Sequence, residues 1–343
     1  MDFQTGQRTG NYEILEELDQ ARTGHAYKVR NTLIDRTELL RVLAQEGDRE
    51  VTDRFLREIR VHAKLVHPNI VTFYNAAELD GQLVMTTEHV EGETLEVKME
   101  ARPVMLNDSV RWIIEVLSAL AYAHEHGIIH REISPANILI SRDGHAKLSG
   151  FGLAKGVGDP QLTQVGTIMG WIEYMAPEQI QGTPLDARTD LYSVGAVLYE
   201  LVTGQVPFIC ESQFDLMLAH VQRQPSPPLE VRPELPADLS SIILTALEKD
   251  PEKRFHNATA FRTALETVST DIPPPAAFAD PTMALPATPL PEPAIRPLAV
   301  DPVELPDVIG RPGTASVNLT LVAVVTFVAV LLIFYLYLRL TRG

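Results

Sequence analysis

One loop, His130-Arg131-Glu132-Ile133-Ser134-Pro135-Ala136-Asn137, gathers the side chains of this sequence best suited to chemistry. Glu132 offers a carboxylate that could accept a proton, and Asn137 an amide that could face a cation. The set is thin. Magnesium usually takes one or two carboxylates, and the loop supplies only Glu132.

The elements that must position this loop follow from hydrophobic pattern. Residues 12–18, 25–30 and 38–43 read as three strands of a meander. Residues 53–65 read as a helix packing through Phe55, Ile59, Val61 and Leu65. A strand follows over 83–90 and an apolar helix over 109–125, which leads into the loop. After the loop come the short strand Ile138-Leu139-Ile140, a tight turn at Ser141-Arg142-Asp143-Gly144 and a returning strand over 146–148. The net charge of −16 and pI near 5.1 argue against a nucleic-acid partner, which would need clustered Lys and Arg. The single cysteine, Cys210, excludes an internal disulfide and a Cys-rich zinc site and suits a reducing compartment. No internal repeat is visible.

With its motifs in order, the chain resembles bacterial eukaryotic-like (Hanks-type) Ser/Thr protein kinases over roughly residues 11–267. His130, Arg131, Pro135 and Asn137 match the catalytic loop; Tyr174-Met175-Ala176-Pro177-Glu178 matches the Ala-Pro-Glu signature. Asp190 to Gly195 matches the start of the buried central helix. Leu247 to Phe255 matches the closing signature, with Arg254 as partner of Glu178. His67-Pro68-Asn69-Ile70 matches the turn after the first helix, and Thr87-Glu88-His89-Val90 the hinge. The resemblance implies an α+β, bilobal fold: a small β-rich lobe with one main helix, and a larger helical lobe.

It also implies an ATP pocket and a magnesium site, and here the sequence departs from the family. The catalytic Asp is Glu132, the loop Lys is Ser134, and the metal-binding Asp of Asp-Phe-Gly is Gly150. The glycine-rich turn is reduced to Gly24, with Asp19 and Ala21 at positions that should bare backbone to phosphate. The strand Lys is Arg41, whose planar fork is no replacement in a tight phosphate contact, although Glu58 remains to pair with it. Leu39 stands where a small residue normally roofs the adenine slot and, beside Ala26, is expected to plug it. Glu88, Val90 and Leu139 complete this degenerate pocket. Thr163 and Thr167 are candidate phosphorylation sites. Gly170-Trp171 replaces the usual Gly-Thr pair.

Beyond the globular region, residues 271–316 are rich in Pro and Ala and read as an extended, disordered tether. Residues 317–338 carry no charge, and about 20 apolar residues span a bilayer, so this segment is expected to be a single transmembrane helix, followed by a tail at 339–343. Arg339 and Arg342 after the span, against Arg311 before it, favour a cytoplasmic tail by charge. Export of a large domain without a signal peptide is hard, however, so the kinase-like domain is expected on the cytoplasmic side.

The expected function is a membrane-anchored pseudokinase that scaffolds or allosterically regulates a protein partner, an active Ser/Thr kinase or its substrate, with no cofactor and no metal. The alternatives are a slow or unconventional ATP- and Mg-dependent kinase using Glu132, and a nucleotide sensor that works without metal.

Overall fold

The computed structural model describes residues 3–21, 24–43, 49–101, 103–151, 155–156 and 172–268. The chain divides into two units, residues 1–278 and 279–343, of which the first is described below. Its small lobe is an antiparallel sheet built from β1 (Arg8–Thr9), β2 (Tyr12–Ala21), β3 (Gly24–Asn31), β4 (Arg36–Leu43), β5 (Phe73–Leu79) and β6 (Gln82–Glu88), in the order β1-β2-β3-β4-β6-β5. One helix, α1 (Arg49–His62), packs against it. The first strands run longer than hydrophobic alternation predicts, because register shifts at Ile14/Glu16 and Glu17/Asp19 let β2 keep pairing with β3 after its alternation is broken.

Alternation along β4 sorts its residues between two faces. Leu40 and Val42 are buried with Tyr12, Ile14, Tyr27, Val29 and Val84 in the lobe's core. Leu39 and Arg41, half-buried, fall on the opposite face, towards which Ala26 also alternates.

The large lobe follows through β7 (Gly92–Thr94), α2 (Leu95–Ala101), α3 (Leu106–Glu125) and β8 (Ile128–Ile129). Then come the hairpin β9 (Ile138–Ser141) and β10 (Ala146–Leu148), and β11 (Lys155–Gly156), which pairs with β8. The helices α4 (Pro177–Gln181), α5 (Ala187–Thr203), α6 (Gln213–Gln222), α7 (Pro228–Val231), α8 (Ala237–Ala246) and α9 (Ala258–Glu266) complete it. α5 is apolar nearly all round and sits at the centre, as a helix with that pattern must. It tolerates no side chain at Gly195, where a Cβ would stand 2.7 Å from Ala246 Cβ on α8. α3 delivers the hairpin: Glu115 accepts from Ala146 N at 2.6 Å, and Trp112 Nε1 donates to the Gly144 carbonyl at 2.8 Å.

A buried ion pair closes the lobe. Arg254 donates two parallel bonds to Glu178, at 2.7 and 2.8 Å, and further bonds to the carbonyls of Arg188, Glu248 and Lys249. Among the described residues no helix is long and apolar enough to cross a membrane. The tether and the span expected at 271–316 and 317–338 lie outside the described residues, as do Thr163, Thr167 and the Gly170-Trp171 pair.

Removing one member of a buried pair leaves an uncompensated charge or fork, which costs about 3–5 kcal/mol. Arg254→Met is therefore expected to lower unfolding stability by about that amount in urea titration, and Glu178→Leu added to it should recover part of the loss.

Candidate functional site

The loop from His130 to Asn137 is held from beneath by one carboxylate. Asp190, fully buried in the first turn of α5, accepts from the backbone N–H groups of His130 and Arg131, each at 2.8 Å, and from His124 Nε2 at 2.7 Å. Burial alone would push its pKa up. The His124 hydrogen bond and charge, with the Arg131 amide, outweigh that and hold it below the usual carboxylate range. Arg131 takes a left-handed backbone, φ 69°, and its carbonyl receives Gln179 Nε2 at 2.9 Å.

Phe151 is fully buried, and a stack of rings runs from it between the lobes. Its centroid lies 4.7 Å from His130, edge-on, and 5.4 Å from His62 of α1; His62 in turn lies 6.0 Å from Phe73 of β5. His130 Nε2 donates to the Ser149 carbonyl at 2.8 Å. The family resemblance placed Phe151 and His130, but sequence reading missed His62, which reads as a polar residue between packing positions. Helical spacing was the available signal, since 55, 59 and 62 share a face.

On the cleft face of the small lobe, Arg41 pairs with Glu58 of α1. Neighbouring Lys28 is the register partner of Leu39, and Ala26 that of Arg41. The register thus sets Leu39 diagonal to Ala26, not opposite it. Glu88, expected in the pocket, has its carboxylate engaged elsewhere: it accepts from Thr72 N and Oγ1 at 3.1 Å and from Lys147 at about 3.0 Å, tying β6 to β10. Val90 and Leu139 are half-buried, Leu139 facing Lys147 and Thr94 in register. Asp19, Ala21 and Gly24 lie in the β2–β3 hairpin, where Ala21 pairs with Gly24.

The candidate catalytic positions fall as follows. Glu132 is half-buried, and its N–H donates to His130 Nδ1 at 3.2 Å. Ser134 is 1 % exposed, with a hydroxyl that has no hydrogen-bond partner among the described residues, so it does not extend a group into the cleft as a lysine would. Asn137 Nδ2 donates to the Glu132 carbonyl at 2.7 Å. Gly150 adopts φ +81°, and a Cβ built there would lie 2.5 Å from Asn137 Oδ1 and 2.6 Å from its Cγ. The Asn137 amide thus fills the space a side chain at 150 would enter. Ser149 is also spoken for: its N–H and hydroxyl both donate to the Asn137 carbonyl, at 2.9 and 3.1 Å.

These residues do not fit a magnesium ion: position 150 has no carboxylate, and the neutral Asn137 Oδ1 is no replacement for the one or two carboxylates magnesium usually takes. Among the described residues no three His, Cys, Asp or Glu side chains gather as a metal site.

A two-lobed body with a buried Asp190 under a His-Arg loop, an Arg–Glu pair from strand to helix and an aromatic bridge between lobes defines a class. The protein kinase domain profile matches residues 12–265, and the chain belongs to that family. Among characterised relatives, it is 38% identical over 268 residues to the serine/threonine-protein kinase PknJ of Mycobacterium tuberculosis, covering 76% of this chain and 46% of that one. It is 32% identical over 262 residues to the serine/threonine-protein kinase PrkC of Bacillus subtilis, covering 76% and 40%. The chain spans less than half the length of the curated relatives it matches.

Gly150→Ala must place a Cβ in left-handed backbone, at about 1–2 kcal/mol, and displace Asn137 from its bond to Glu132. A fall in urea-unfolding stability of at least that size is the expected outcome, and Asn137→Ala in the same chain should relieve the steric part of it.

Proposed function

We propose that the protein is a pseudokinase: a kinase-shaped binding module that engages a protein partner in Ser/Thr kinase signalling, without transferring phosphate itself. The observation that carries this reading is the pair Gly150 and Asn137, where the metal carboxylate is missing and an amide occupies the space beside it. Phosphoryl transfer depends on positioning and on neutralising phosphate charge. Ser134 offers no cation, and Arg41 is engaged by Glu58. Glu132 remains a carboxylate, but its extra methylene displaces the acid by about 1 Å, and a misplacement of that order costs about a hundredfold.

The elements that keep the lobes together do not need nucleotide. Glu88–Lys147 and the Phe73–His62–Phe151–His130 stack run from one lobe to the other, and Arg41–Glu58 holds α1 to β4 within the small lobe. The partner we propose is an active Ser/Thr kinase or its substrate, consistent with the kinase names of the relatives. We further propose that residues 317–338 anchor the chain in a membrane with the kinase-like domain in the cytoplasm.

Thermal melting of the purified chain with ATP, with and without magnesium, together with transfer of labelled phosphate to a protein hydroxyl, tests this. The expected result is neither a shift nor transfer. A shift without transfer would instead make the chain a metal-free nucleotide sensor, and transfer abolished by Glu132→Ala would make it an enzyme. Removing residues 317–343 is expected to move the chain from the membrane fraction to the soluble fraction and to reduce recovery of its partner from solubilised membranes.

A further inference from the structure

His62 occupies a position that packing alone would give to an apolar side chain. It is 3 % exposed, at the last turn of α1, with Phe73 on one side and Phe151 on the other. Its Nε2 lies 2.5 Å from the Val71 carbonyl, which can only accept, so the hydrogen sits on Nε2. Nδ1 is buried and has no hydrogen-bond partner among the described residues. The ring therefore fits its place only as the neutral tautomer, because a second proton on Nδ1 would be a charge without an acceptor.

The charged and titratable groups around it do not change this. Glu58 faces it from its own helix, Arg41 from β4 and His130 from the catalytic loop across Phe151, while Val71 presents a neutral dipole. Glu58 and Arg41 are paired with one another, so neither is left to balance an imidazolium. His130 is itself buried, and the Asp190 carboxylate behind it is shared among two amides and His124.

We infer that His62 is an acid-sensitive latch: protonation expels it from between the two phenyl rings and loosens α1, with Glu58, from β4. The device is independent of whether the domain transfers phosphate, because it acts on how the lobes are held. It would also draw Glu58 away from Arg41.

The sign follows from burial, which lowers the pKa of His62 in the packed state, the carbonyl of Val71 and the charge of Glu58 opposing only in part. Once α1 has loosened, the ring returns to an ordinary value near 6.5. The packed state is thus fully favoured above about pH 6.5 and loses ground as pH falls below it, by up to about tenfold per pH unit for one proton. His67, held down to about 4, and His220, to about 3, make the large lobe acid-sensitive too, so a global melting curve would not isolate the latch.

Hydrogen–deuterium exchange of the full chain at pH 7.5 and 5.5, corrected for intrinsic exchange, does isolate it. Peptides from α1 are read against peptides from α5. Protection of α1 relative to α5 is expected to fall by about tenfold in the wild-type chain and to stay constant in His62→Leu. A constant ratio in the wild-type chain, or the same fall in His62→Leu, would overturn the inference. Should His62→Leu fail to protect α1 at pH 7.5, His62→Met, an unbranched side chain able to fill the same gap, takes its place under the same two criteria.

Discussion

The Asp190 carboxylate is the interaction on which the rest of the site depends. A loop that carries five potentially chemical side chains, His130, Arg131, Glu132, Ser134 and Asn137, must expose some backbone donors to a buried surface, and those of His130 and Arg131 end on one acid. Arg131 can hold its left-handed φ because that acid and Gln179 fix the groups on either side of it. From this anchor the order propagates upwards: His130 is placed against Phe151, Phe151 against His62, and His62 against the small-lobe sheet. The lobes are joined by stacked rings resting on a single buried charge.

Support and chemistry are thus separate in this fold. The parts that hold the loop come from α5, α4 and the closing segment, where Glu178–Arg254 adds a second buried charge pair. The parts that would act on a substrate come from short stretches facing the cleft, and those are where the residues depart from the family. At Ser134 and Gly150 the family's charged side chain is missing, while Asp190 and the Glu178–Arg254 pair still support the loop and the lobe around it.

Much of the fold was legible in the sequence because helical and strand periods and paired charges are local or motif-spaced signals. Glu178 with Arg254, Arg41 with Glu58 and the place of Phe151 were readable only because the motifs around them resemble those of the kinase family. What was not legible depends on which side chain moves into space another leaves. Asn137 turning towards Gly150, Ser134 being buried, and Glu88 being taken by Lys147 are decided by three-dimensional contacts between segments far apart in sequence. The β3–β4 register likewise puts Ala26 across from Arg41, a pairing that alternation alone does not specify. His62 was hidden for a simpler reason: a histidine carries no sign in the sequence of which charge state its surroundings require.

The contact between Gly150 and Asn137 also bears on design. An acid introduced at 150 would meet the Asn137 amide before it met any ion, because a Cβ there already falls 2.5 Å from Oδ1. Asn137 in turn holds the Glu132 carbonyl through Nδ2. The two positions therefore form one unit for engineering: a carboxylate at 150 calls for a matching change at 137, and neither edit can be judged apart from the other.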